Sequence, residues 1–381
     1  MRNRAAVSFF GKILFVSKPA NISFCGLYLS FIILLFCGCT AGGDTTWRSD
    51  GEITFELARQ AYTRGSVIDG TAIPVSESFR VYAWLSEGGA TTAFITRDVT
   101  DPESNVVSGV TGKWVPKQRY YWPESPEAAI SFYAVYPKDY SLTRTDAGDV
   151  SFPFTVGANV SSQSDLMTAK AENVLKSSTA NGAASLAFRH LLSQVSFSAL
   201  LSADFAGWQV SVTGIRICHV NSQGTYHYSG SIVPATPAVP VDYNLVMAAD
   251  AVTVSSTSEP VALTSATDVA LLMPQSLTAW DRATETASST TPLTDGCYLA
   301  IACTITDPVG RVAFTGSTYL PFGPTWASSQ HYAYTLQFGS GYSASGNPSV
   351  TDILLTCSVA PWVDPYAGGS APSEFNQEKE I

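Results

Sequence analysis

Charge is what this chain has least of. Of its 381 residues, 14% are Asp, Glu, Lys or Arg, where a typical globular protein carries about 25%. The balance is acidic, 31 against 21 for a net charge of -10, and no basic stripe follows Lys18. Nucleic acid is therefore excluded as a partner, because phosphate binding needs clustered Lys and Arg. Histidine is confined to His190, His219, His227 and His331. There is no His-Glu-x-x-His, no Cys-x-x-Cys, no Gly-x-Ser-x-Gly and no P-loop. The glycines of Gly339-Ser340-Gly341-Tyr342 lead into Ser343-Ala344-Ser345-Gly346-Asn347-Pro348, which cannot open a helix to cradle phosphate. No catalytic residue, metal or cofactor is expected, and the chain does not read as an enzyme. Long helical periodicity is also missing.

Long apolar runs are missing too, with one short exception near the start. Arg2, Arg4, Lys12 and Lys18 precede an apolar stretch from Phe24 to Phe36, followed by Cys37-Gly38-Cys39. The stretch falls short of the ~20 residues a spanning helix needs, and Gly26 and Ser30 interrupt it. A basic leader, a short apolar core and a small residue before a cysteine spell a lipoprotein signal, residues 1–38, cut before Cys39. Lipid on the Cys39 thiol and amine, palmitate among it, would tether the protein to the outer membrane without spanning it. Residues 39–49, small and polar, suit a flexible tether.

Once Cys25, Cys37 and Cys39 are set aside, Cys218, Cys297, Cys303 and Cys357 remain. Cys297 and Cys303 in one strand point the same way but stand roughly 20 Å apart, so they cannot bridge each other. Four buried free thiols are expected, with one disulfide between distant strands as the alternative. Cys218-His219 would point to opposite faces of a sheet, which argues against zinc.

What the sequence has in abundance is period-2 alternation, with small residues and aromatics. Glu52–Leu57, Phe79–Leu85 and Ile130–Tyr136 each alternate, the last stopped by Pro137. Val210 and Val212 share one face and Ile215 and Ile217 the other, so a β-bulge is expected at Gly214. Leu186, Phe188 and His190 likewise fall out of phase with Leu191, Val195 and Phe197, which calls for a kink near His190. A histidine there is read as satisfying backbone groups, and Gln163 and Asp165 as capping a loop. Tyr332–Phe338 and Ile353–Val359 are late strands. Such a pattern predicts an all-β protein of antiparallel sandwiches. The low-complexity stretch Ser177–Gly182 is the candidate boundary, giving an N-terminal domain over 50–180 and a C-terminal one over 181–381. Val252–Thr267 reads as a long surface connection. Tyr120-Tyr121-Trp122-Pro123 and Tyr226-His227-Tyr228 could offer rings to a glycan, or pack between sheets.

Several stretches together resemble the fimbrillin-like lipoproteins of Bacteroidetes related to type V pilus subunits: Tyr121-Trp122-Pro123 with Ile130–Pro137, Gln163–Ala169, Leu186–Val195, Leu272-Met273-Pro274-Gln275 and Tyr332–Leu336. The resemblance implies two tandem transthyretin-like β-sandwich domains and a structural or adhesive role in a fimbrium at the cell surface. It implies other pilus subunits as partners. It further implies cleavage by an arginine-specific protease near the mature N-terminus, here after Arg64 or, failing that, Arg59. Loss of the segment Glu52–Leu57 would then open a groove for a strand of the next subunit. The C-terminal strand, Thr351–Val359, is the candidate donor. The alternative is a surface lipoprotein that does not polymerise and binds a glycan or a protein.

Overall fold

The computed structural model describes residues 51–57, 73–110, 113–281, 296–339, 341–342, 348–349 and 353–362. Cys39, the tether, Arg59 and Arg64 lie outside the described residues, as do Thr351 and Asp352. Among the described residues no helix is long and apolar enough to cross a membrane.

The protein is all-β, and among the described residues its regular elements are strands and short turns of 3-10 helix. The first third carries β1 (Thr54–Leu57), β2 (Ser78–Glu87), β3 (Ala90–Ile95), β4 (Val106–Val110), β5 (Lys113–Pro116), β6 (Ala129–Tyr136), β7 (Thr143–Arg144) and β8 (Val150–Thr155). The middle carries β9 (Met167–Leu175), β10 (Ala183–Leu186), β11 (Arg189–His190), β12 (Ser193–Leu201), β13 (Gln209–Asn221), β14 (Gln223–His227), β15 (Ile232–Pro234), β16 (Pro240–Asn244), β17 (Val252–Val254), β18 (Val261–Ala262) and β19 (Ala270–Leu272). The last part carries β20 (Tyr298–Thr306), β21 (Val312–Pro321), β22 (Gln330–Phe338), β23 (Gly341–Tyr342), β24 (Pro348–Ser349) and β25 (Ile353–Pro361).

The first sheet runs β10-β1-β5-β4-β2-β6-β9-β11, with β3 added beside β2. In β6, Ile130, Phe132 and Ala134 face a core with Phe79, Val81 and Ala83 of β2, as the alternation predicts. The intervening Tyr82, Trp84, Tyr133 and Val135 are buried as well, in a second core on the other face. The sheet coils strongly. In a flat sheet β1 and β6, four strands apart, would be separated by roughly 19 Å, yet the rings of Phe55 and Phe132 meet edge to face at 5.3 Å between centroids.

Two five-stranded sheets make up most of the second half. One runs β18-β12-β22-β25 with β19 on β12, the other β16-β13-β20-β21 with β17 on β13. Both feed one core, Phe197, Tyr334, Leu336 and Phe338 from the first against Val210, Val212, Ile301 and Ile305 from the second. The register of β13 on β20 slips between Val212 and Gly214. This is the expected bulge, and its consequence is that Val210, Val212, Ile215 and Ile217 all reach the same core despite their opposite phases. A four-stranded sheet, β15-β14-β8-β7, adds Phe152 and Phe154 to that core.

Three local expectations need correction. The phase change near His190 is not a kink within one strand: β10 and β11 belong to the first sheet, β12 opens the next, and the chain crosses between them at the buried Leu191 and Leu192. Residues 183–190 therefore complete the first sheet. Val252–Thr267 is not merely a surface connection, because β17 and β18 pair with β13 and β12 and bury Val252 and Val254. Finally, Cys218, Cys297 and Cys303 are buried and free, but Cys357 is only half-buried.

Candidate strand-exchange site

The N-terminal strand β1 is short, apolar on one side and enclosed on both edges. It pairs in parallel with β10, Thr54 through Leu57 opposite Ala183 through Leu186. On its other edge Phe55 stands opposite Trp114 of β5. Backbone bonds extend the clamp: Ile53 N donates to Tyr120 O at 2.8 Å and Trp122 N to Gly51 O at 2.7 Å. Ile53 and Phe55 are completely buried, whereas Glu56 points to solvent. Phe55 meets Phe79 at 6.3 Å as well as Phe132. Burying two such side chains is worth about 1.5–3 kcal/mol each. Taking β1 away would leave an apolar slot flanked by unpaired backbone of β10 and β5, a template for another strand.

The end of the slot is closed by Trp122 and Gly182. Trp122 is buried, and its indole N–H donates to Gly182 O at 2.9 Å. Gly182 has φ +79, and a Cβ there would stand 2.9 Å from Glu52 O. Only glycine fits both the left-handed backbone and the close approach of β1.

The expected donor strand occupies an edge of its own sheet. β25 pairs antiparallel with β22, Ile353 opposite Phe338 through Pro361 opposite Gln330. Among the described residues its other edge has no strand. The predicted alternation holds weakly: Ile353 is buried, Leu355 and Cys357 are half-buried, and Val359 is exposed.

The remaining candidate side chains take structural places. Gln163 does cap, but across the fold: its Nε2 donates to Gly157 O and its Oε1 accepts from Leu271 N, each at 2.8 Å. Asp165 and His190 do not serve the backbone with their side chains as expected. Asp165 Oδ2 lies 2.8 Å from His190 Nδ1, both side chains fully buried. Sequence reasoning had both residues in view but could not join them. Tyr228 is buried and donates to Ala134 O at 2.7 Å. Tyr226 is half-buried and packs on Phe152, so of the two aromatic stretches only Tyr121 is exposed. His219 Nδ1 lies 3.0 Å from Gly296 O, and His331 Nε2 2.8 Å from Ser196 Oγ. Burial pushes the Cys218 thiol up to about 12 and the Cys303 thiol up to about 11. Among the described residues no cluster of His, Cys, Asp and Glu could hold a metal ion.

Residues 63–362 match the fimbrillin-like family, and the chain belongs to it. Its fold is similar to the crystal structure of a fimbrial protein from Bacteroides vulgatus ATCC 8482, with a TM-score of 0.59 and 15% identity over 82% of this chain and 100% of that one. A fimbrial assembly protein from Parabacteroides distasonis ATCC 8503 also aligns, with a TM-score of 0.39 and 10% identity over 81% of this chain and 96% of that one. The first likeness alone is close enough to speak to the fold. No curated protein matches the chain.

Proposed function

We propose that the protein is a cell-surface fimbrial subunit that assembles by strand addition between copies or with other pilus subunits. In this reading lipid at Cys39 holds the precursor at the outer membrane, and cleavage after Arg64 frees the segment that contains β1. The vacated slot then takes an extended strand from the next subunit, β25 being the candidate. The chain is read as two transthyretin-like sandwich domains, with the division moved from residue 180 to the crossing at Leu191 and Leu192 so that the first domain includes β10 and β11. The observation that carries the reading is β1 itself: an N-terminal strand with two fully buried side chains, clamped on both edges, and followed by two arginines before β2.

The deciding experiment is N-terminal sequencing of the protein taken from its native surface, together with electron microscopy of a purified chain that starts at Gly65. An N-terminus at Gly65 and filaments from the shortened chain are the expected results. Surface material that still begins at Cys39, with no filaments from the shortened chain, would overturn the polymerising role. The second reading, a closed surface lipoprotein that binds a glycan or a protein, draws its support from the pairing of β25 within its own sheet.

A further inference from the structure

β25 holds to its own sheet by one face: Ile353 is buried at 9% exposure and Leu355 and Cys357, half-buried, pack against the core, while Leu354 and Val359 are 47% and 44% exposed. The residue that follows is different in kind. Trp362 is 5% exposed, and its indole lies parallel to the imidazole of His190, 3.8 Å between centroids and 8° between planes. Its backbone N donates to Ser329 O at 2.8 Å. Ser329 Oγ in turn donates to His190 O at 2.6 Å. The imidazole is fixed from its other side by Asp165, with Oδ2 2.8 Å from Nδ1.

These contacts join parts of the chain that the sheets keep separate. His190 belongs to β11 at the edge of the first sheet, whereas β25 belongs to an edge of another. A ladder bond to an edge strand exchanges with water at little net cost, but a buried tryptophan carries the largest apolar surface of any side chain. Among the described residues the indole Nε1 has no protein acceptor. Stacking, burial and one backbone bond thus account for the protein's hold on the residue.

We propose that Trp362 is a latch: seated on His190, it keeps the C-terminal strand on its own sheet, and when the indole leaves, the strand becomes available to a second copy of this chain. The proposal deepens the reading of β25 as a donor and rests on it for the identity of the partner. The latch itself concerns the uncut chain and operates before any polymerisation.

The test is hydrogen exchange on the full chain and on the variants Trp362→Ala and Trp362→Phe, following residues 354–360 against β2, β6 and β13. In Trp362→Ala, exchange across 354–360 is expected to rise at least tenfold while β2, β6 and β13 keep their protection. Trp362→Phe, which keeps a ring on His190, is expected to stay within about threefold of the parent. A biotinylated peptide of residues 353–362 should enter Trp362→Ala and not the parent. Unchanged protection of 354–360 in Trp362→Ala, or an equal rise in β2, β6 and β13, would overturn the latch. Failure of the chain starting at Gly65 to assemble would sink the fimbrial role and leave these outcomes untouched, so the two ideas fail separately.

Discussion

The indole N–H of Trp122 donates to the carbonyl of Gly182 at 2.9 Å, and between them the two residues close the end of the slot that holds β1. Because Gly182 has φ +79 and its missing Cβ would meet Glu52 O at 2.9 Å, the position admits no other residue without strain. Gly182→Ala is expected to cost more than about 1 kcal/mol, since alanine must take a left-handed conformation and push β1 aside. Urea unfolding would show it as a lowered midpoint, and hydrogen exchange should place the loosening first at residues 53–57.

Phe55 makes the same point from within the core. Its ring meets Phe79 and Phe132 edge to face. Phe55→Ala should cost about 3–5 kcal/mol through lost contacts and the cavity left behind. Glu56→Ala, one position along on the solvent side, should be within about 0.5 kcal/mol of the parent. Equal effects at the two positions would mean that β1 does not sit in the sheet as described.

The buried pair of Asp165 and His190 should behave as a unit. Replacing either partner leaves the other in an apolar setting, at a cost of about 3–5 kcal/mol where the survivor is charged. The double variant Asp165→Leu with His190→Leu should cost less than the sum of the singles. Additive losses in denaturant titrations would show that the two do not depend on each other.

Much of this architecture was legible because a two-residue period is written locally. The faces of β2 and β6 can be read from Phe79–Leu85 and Ile130–Tyr136, and the bulge at Gly214 from the change of phase between Val212 and Ile215. Partners across long sequence separations were not legible. Nothing in Gln163 announces that it will hold Leu271, or in His190 that Asp165 and Trp362 will meet on it, since such contacts are set by the order of strands in the sheets. Out-of-phase apolar residues around His190 carried real information, but a kinked strand and a crossing between sheets leave the same trace. The strand-exchange segment was visible as alternation, whereas the coil that brings Phe55 to Phe132 was not.

The cysteines supply a chemical check. Cys218, Cys297, Cys303 and Cys357 are all free, and burial raises each thiol, Cys357 to about 11. At pH 8 the native protein should react with iodoacetamide much more slowly than a free thiol does, because the thiolate is the nucleophile. Cys357, the one of these four that is not fully buried, should be modified ahead of the other three. Mass spectrometry of the alkylated protein would find otherwise if any two of these cysteines were bridged or if Cys303 were labelled ahead of Cys357.

His331 gives stability a defined pH dependence. Its imidazole lies 2.8 Å from Ser196 Oγ on the neighbouring strand. Burial lowers its pKa below the ordinary 6.5. In the unfolded chain the imidazole takes up a proton as pH falls through 6.5, while in the folded protein it resists until a lower pH, so the unfolded state binds more protons in that interval. The contribution of neutral His331 is therefore fully present above pH 6.5, shrinks as pH drops toward the folded value, and then levels off. His331→Gln can still bond to Ser196 but does not titrate. Between pH 7.5 and 5.5 the urea midpoint of the parent should fall more steeply than that of His331→Gln. Carboxylates such as Glu103, held below their usual range by Lys138, titrate at lower pH and act on both proteins alike. Parallel profiles for parent and variant over this interval would show that His331 is as easily protonated in the fold as in the free chain.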